Sequence, residues 1–159
     1  MDVDERMNLI RRNTDEIVGE EDLDKILNKQ LEKLGVESVD FYLLHALDEG
    51  HWQTVKDLDI IEWAEKKKEE GKIKYLGFSF HDSHELFNTI LDSHDWDFCQ
   101  IQYNYLDTEY QAGKAGLQKA YDKGIGVVIM EPIRGGWLAQ TPPESAKELF
   151  ESENKERTS

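Results

Sequence analysis

Four short apolar runs, each preceded by a helical stretch and closed by polar or small residues, constrain this chain more than anything else in it. The first is Asp40-Phe41-Tyr42-Leu43-Leu44-His45, giving an expected strand over residues 39–45. The others predict strands over 73–79, 97–103 and 126–130. Runs this short, rich in β-favouring residues, read as buried strands of a parallel sheet. Strands alternating with helices imply βαβ units, hence an α/β fold. In such folds ligands gather at the carboxyl ends of the strands. Those ends carry His45, then Ser79 and His81, then Gln102 and Asn104, then Glu131. His45 opens the ring. It also has a plainer reading, as a polar residue finishing a strand at the solvent edge.

Between the strands the helical pattern is clear. Over residues 21–34, Leu23, Ile26, Leu27, Leu31 and Leu34 share one stripe, and Gly35 suits the C-terminal cap. Residues 51–56 predict a helical turn carrying Trp52 and Val55. Asp57 or Asp59 is placed to cap a helix running through Glu70, where Gly71 ends it. The charged run 66–70 reads as a solvated helix face. Gly77, inside the second strand, leaves room for something to approach the backbone closely. Asp82 or Ser83 can cap a helix carrying Leu86, Phe87, Ile90 and Leu91. His81 and His84 have a spacing used by metal sites, but no third ligand lies near in sequence and a capping loop accounts for the pattern.

The third strand alternates. Phe98, Gln100, Gln102 and Asn104 share one parity; Cys99, Ile101 and Tyr103 share the other. A polar face inside a βαβ array fits either an interior that meets a polar ligand or a wet, edge-facing strand. Residues 111–123 predict a helix ended by Gly124. Thr141 before Pro142-Pro143 starts another, running to about residue 151. The loop Glu131-Pro132-Ile133-Arg134-Gly135-Gly136 can hold phosphate through backbone N–H groups and charge, although as a motif it is weak. Neither Gly-x-Gly-x-x-Gly nor Gly-x-x-x-x-Gly-Lys occurs, which argues against a Rossmann or P-loop protein.

Composition narrows the partners. A net charge of −15 repels nucleic-acid phosphates and anionic lipids, so neither nucleic acid nor membrane is an expected partner. The single cysteine, Cys99, reads as a small buried apolar residue and cannot hold an iron–sulfur cluster. No stretch approaches the roughly 18 apolar residues of a membrane span. The start lacks a signal-peptide apolar core, and a cytoplasmic protein is expected. Two regions are expected: a poorly defined acidic segment, 1–20, and one domain, 21–159.

The motifs DFYLLHAL (40–47), EWAEKKKEEGKIKYLGFSFHD (62–82), WDFCQIQYNYLD (96–107) and GIGVVIMEPIRGGWLA (124–139) resemble the aldo/keto reductases. The likeness is nearest to the oxidoreductase branch with a ferredoxin-like iron–sulfur extension, and covers roughly residues 21–157. It implies part of a (β/α)8 barrel, with four parallel strands, flanking helices and a site at the carboxyl strand ends. It implies NADP(H) or NAD(H) as cofactor and a small carbonyl or alcohol as substrate. By resemblance, His45 orients the substrate carbonyl and Ser79 lies near the nicotinamide amide. Phe80 stands where an Asn is usual. Gln100 hydrogen-bonds the carboxamide, Met130 takes the place of a stacking tyrosine, and Arg134, Gly135 and Gly136 approach the pyrophosphate.

The family's tyrosine acid, with its lysine and aspartate, belongs to earlier strands than those matched, and the last strand with its cofactor contacts to a later one. A whole barrel needs about 250 residues. The expectation is therefore the middle four βα units of a reductase, inactive alone and binding cofactor weakly, without an iron–sulfur cluster. The alternative is a non-catalytic half-barrel binding or assembly module. In either case an open inner face, with Phe41, Leu43 and Tyr75 as its candidates, favours self-association.

Overall fold

The computed structural model describes residues 19–153, and the segment expected over 1–20 lies outside them but for its last two residues. The first helix, α1 (Glu20–Leu34), buries Leu23, Leu27 and Leu31 as one stripe and ends at Gly35, whose φ of 69° is the left-handed cap expected there. The first strand, β1 (Val39–Leu47), outlasts its expected end by two residues. Helix α2 (Glu49–Asp57) follows, capped by Asp48, whose side chain accepts the His51 N–H at 2.8 Å. Helix α3 (Ile60–Glu69) starts without the aspartate side-chain cap expected of Asp57 or Asp59. Asp59 is itself left-handed at φ 47°, and its backbone carbonyl accepts the Trp63 N–H instead.

Strand β2 (Ile73–Phe80) leads to helix α4 (His84–Asp92), where the Ser83 hydroxyl accepts the Leu86 N–H as the N-cap. Then come β3 (Phe98–Gln102), α5 (Gly113–Asp122) and β4 (Gly126–Met130). A 3-10 turn (Arg134–Gly136), a short α6 (Trp137–Gln140) and α7 (Glu144–Glu153) complete the order. The short α6 was not expected from the sequence.

All four strands are parallel and lie in the order β1-β2-β3-β4. With helices flanking one face, this is the expected portion of a (β/α)8 barrel. Register sorts the side chains by parity. Leu44, Phe78, Cys99 and Val127 align across the sheet and face the helices. There Phe78 meets Phe87 and Trp96 at ring-centroid distances of 6.0 and 4.9 Å. Helix α1 is clamped over α3 through Asp24, which accepts the Trp63 indole N–H at 2.8 Å and pairs with Lys67 at 2.9 Å. Those two partners, Lys67 first, hold the Asp24 carboxyl below its ordinary range. No helix among the described residues is long and apolar enough to cross a membrane.

Candidate active site

The opposite, inner face of the sheet changes character along the strands. Toward the amino ends it is aromatic. Phe41 stands opposite Tyr75, with ring centroids 5.1 Å apart, and meets Phe98 edge-on at 5.4 Å. One rung further, Leu43, Gly77, Phe98 and Gly126 align. The close approach that Gly77 allows is made by the chain itself. A Cβ there would stand 2.5 Å from the Phe98 carbonyl oxygen and 2.7 Å from its ring. Around these residues lies a hollow of about 400 Å³, lined by Phe41, Tyr75, Asp97, Phe98, Gly126 and Val128. Its lining is mostly apolar, and it sits away from the polar strand ends where the chemistry is expected.

Toward the carboxyl ends the inner face turns polar. Ser79, Gln100 and Val128 align, and above them Gln102 stands opposite Met130. On β1 the pairing slips: Leu44 faces Phe78 and Leu47 faces Phe80, so His45 and Ala46 together oppose Ser79. This two-against-one arrangement is a β-bulge. Ala46 adopts φ 54°, unusual for a residue with a side chain. Its N–H donates to the Ser79 Oγ at 2.6 Å. Thus His45, Ser79, Gln100 and Met130, named from widely separated motifs, come to one end of one sheet. Among the described residues the Gln100 side chain has no hydrogen-bond partner, so its amide can still donate and accept.

The loops after β3 and β4 are tied together by a group the sequence did not single out. Asp107 is forked by Arg134, whose Nε lies 2.8 Å from Oδ2 and whose Nη2 reaches Oδ1. The Asn104 amide donates to the same carboxylate at 2.8 Å, and Gln102 approaches it at 3.4 Å. The Asn104 hydrogen bond, then the Arg134 fork and its charge, hold the Asp107 carboxyl below its ordinary range. Asn104 also accepts the N–H groups of Leu106 and Asp107 at 3.0 Å each. That Asx turn is a local signal that could have pointed to Asp107.

Arg134 therefore spends its Nε and Nη2 edge on a carboxylate, and any phosphate meeting its remaining N–H groups would stand close to the Asp107 charge. Gly135 and Gly136 take φ values of 64° and 96°, a backbone suited to glycine. Around this loop Tyr105 and Trp137 stand half exposed. The Tyr105 hydroxyl donates to the Leu138 carbonyl at 3.2 Å, and the Arg134 guanidinium carbon lies 6.0 Å from the Trp137 ring centroid.

Residues 12–158 match the aldo/keto reductase family. The fold is similar to an aldo-keto reductase from Bacillus halodurans in its holo form (TM-score 0.67, 22% identity, 88% of this chain and 48% of that one). It is also similar to an aldo/keto reductase from Brucella melitensis (TM-score 0.60, 25% identity, 85% and 48%) and to a glycerol dehydrogenase from Gluconobacter oxydans (TM-score 0.61, 22% identity, 79% and 36%). The chain spans less than half the length of each of these three proteins. No curated protein matches it.

Proposed function

The chain belongs to the aldo/keto reductase family, and on that footing we propose that it supplies the nicotinamide-facing wall of an oxidoreductase that takes small carbonyl or alcohol substrates with NADP(H) or NAD(H). The observation that carries this reading is the polar upper half of the inner face, where His45, Ser79, Gln100 and Met130 share the carboxyl end of a parallel sheet. A nicotinamide dinucleotide supplies or accepts the hydride when bound. The residues present fit it in part. Gln100 offers a carboxamide the matching donor and acceptor, and Met130 offers a polarisable surface for a flat ring. Ser79 is buried beside them, its hydroxyl accepting the Ala46 N–H. The Asp107 carboxylate held against Arg134 offsets its positive charge, so the loop fits a pyrophosphate poorly. Cofactor binding by these residues alone is accordingly weak. The four sequence motifs further favour the branch that carries an iron–sulfur extension.

In this reading His45 donates an imidazole N–H to the carbonyl oxygen, fixing its direction and drawing electron density from the carbon. The proton that completes the alcohol needs an acid. Tyr42 faces the helices and burial pushes its hydroxyl up to about 12, while Tyr75 lies at the other end of the inner face. Neither stands beside His45. An absent general acid is worth about 10²–10⁴ in rate. The 159 residues alone should therefore show no turnover in NADPH oxidation with aldehydes and quinones. Turnover that appears on adding a segment with the remaining barrel strands, and falls sharply with His45→Ala, would support the proposal. Robust turnover by the chain alone would overturn the assignment of the acid. In direct titrations, Gln100→Ala should weaken NADPH binding; unchanged binding removes Gln100 from the cofactor shelf.

A second reading, assembly without catalysis, rests on Phe41, which is 66% exposed on the inner face of β1, a strand whose outer edge has no partner among the described residues. Light scattering tests it. Self-association that disappears with Phe41→Ser would favour that reading.

A further inference from the structure

The bulge on β1 has a cause that can be named. Leu44 and Leu47 both pair with core phenylalanines of β2, and Leu47 is only 2% exposed. In an unbroken strand, residues three apart fall on opposite faces. The inserted residue lets both leucines enter the helix-covered core while His45, next to Leu44 in the alternation, stands on the inner face. The conformation that makes this possible is the left-handed one at Ala46, φ 54°. Asparagine or aspartate can support that conformation with its own side chain; alanine has nothing to offer. The support comes from the neighbouring strand. Ser79 Oγ accepts the Ala46 N–H at 2.6 Å, and Ser79 is 1% exposed, so water is poorly placed to substitute for it.

We propose that Ser79 is a positioning residue for His45: its hydroxyl holds the left-handed turn at Ala46 and thereby sets where the imidazole stands. This deepens the reading given above and rests on it for the catalytic consequence, but the structural coupling is independent of any cofactor.

The test is made on the full, ligand-free chain by NMR. Ser79→Ala should speed hydrogen exchange at the Ala46 amide roughly tenfold, the scale of one net hydrogen bond, and should move the His45 ring resonances. Ser79→Thr, which keeps the hydroxyl, should preserve both. Adding Ala46→Gly to Ser79→Ala should return the His45 resonances toward their original positions, because glycine takes positive φ unaided. Unchanged exchange at Ala46 and unchanged His45 resonances in Ser79→Ala would overturn the proposal, even if NADPH binding fell, and would leave Ser79 as a cofactor contact only. Loss of NADPH binding is not required here, so failure of the oxidoreductase reading shows separately. If Ser79→Ala does not fold, the double variant decides. A folded double variant supports the proposal, and an unfolded one overturns it.

Discussion

On one face of the sheet Leu44, Phe78, Cys99 and Val127 stand in a row against the helices. One residue further along the same strands, His45, Ser79, Gln100 and Val128 face away from them. The outer row is filled by the chain's own side chains and is apolar throughout. The inner face is graded, aromatic near the amino ends and polar near the carboxyl ends. Period-two alternation thus lets one set of strands present two different faces, a cohesive apolar one and a graded one that turns polar. The contrast holds at single-residue resolution, so adjacent positions should respond to mutation in different currencies.

The largest expected effect is on the outer row. Phe78→Ala removes a ring with 0% exposure and should cost about 3–5 kcal/mol in urea unfolding. Gln100→Ala, aligned one rung further on the inner face, should cost less than about 1 kcal/mol, as a half-buried side chain with no protein hydrogen bond to lose among the described residues. Equal losses at the two sites would break the comparison. Next comes Gly77→Ala, which tests how tightly the lower inner face is packed. The added carbon meets the Phe98 carbonyl and ring, and overpacking of this kind costs about 1–3 kcal/mol. A neutral result would mean that Phe98 yields readily and the inner face is loose along its whole length.

A smaller effect belongs to the polar end. Because the folded Asp107 carboxyl is held below the ordinary carboxylate range, it adds stability at neutral pH that is fully present above about pH 5. That contribution is lost as the pH falls through the unfolded value and then the lowered folded one. Asp107→Asn should flatten the acid limb of a stability–pH curve below about pH 4 and leave its neutral limb parallel to that of the original chain. An unchanged acid limb would show that the fork contributes nothing. The smallest expected response is at Cys99. Burial pushes its thiol up to about 12, so iodoacetamide at neutral pH should label it only after denaturant is added. Labelling of the folded chain would show that the outer row opens.

How much of this was readable beforehand follows the same division. Strand β4 has the bounds expected of it because its signal, an apolar run between glycine and a polar loop, is local. Strand β1 runs past His45 because the turn at Ala46 depends on a hydroxyl from another strand, and nothing near Ala46 in sequence announces it. The alternation of Gln100 and Gln102 showed a polar face but left open what that face met; only register with Ser79 and Met130 placed it. Arg134 was visible in its loop, whereas its partner Asp107 comes from the preceding βα unit and is joined to it only by the fold. Gly77 announced a close approach without naming Phe98.

The spatial order of the strands is also their order along the chain. Val39 pairs with Ile73, Gly77 with Phe98, and Phe98 with Gly126, so each strand finds its partner in the unit made just before it. Each new pairing closes a short loop onto structure that already exists, which keeps the entropy of closure low at every step. Synthesis from the amino end delivers the strands in that same order. During translation the sheet can therefore grow by accretion, each arriving strand templated by its predecessor, and β1 needs no distant stretch of unmade chain before it pairs.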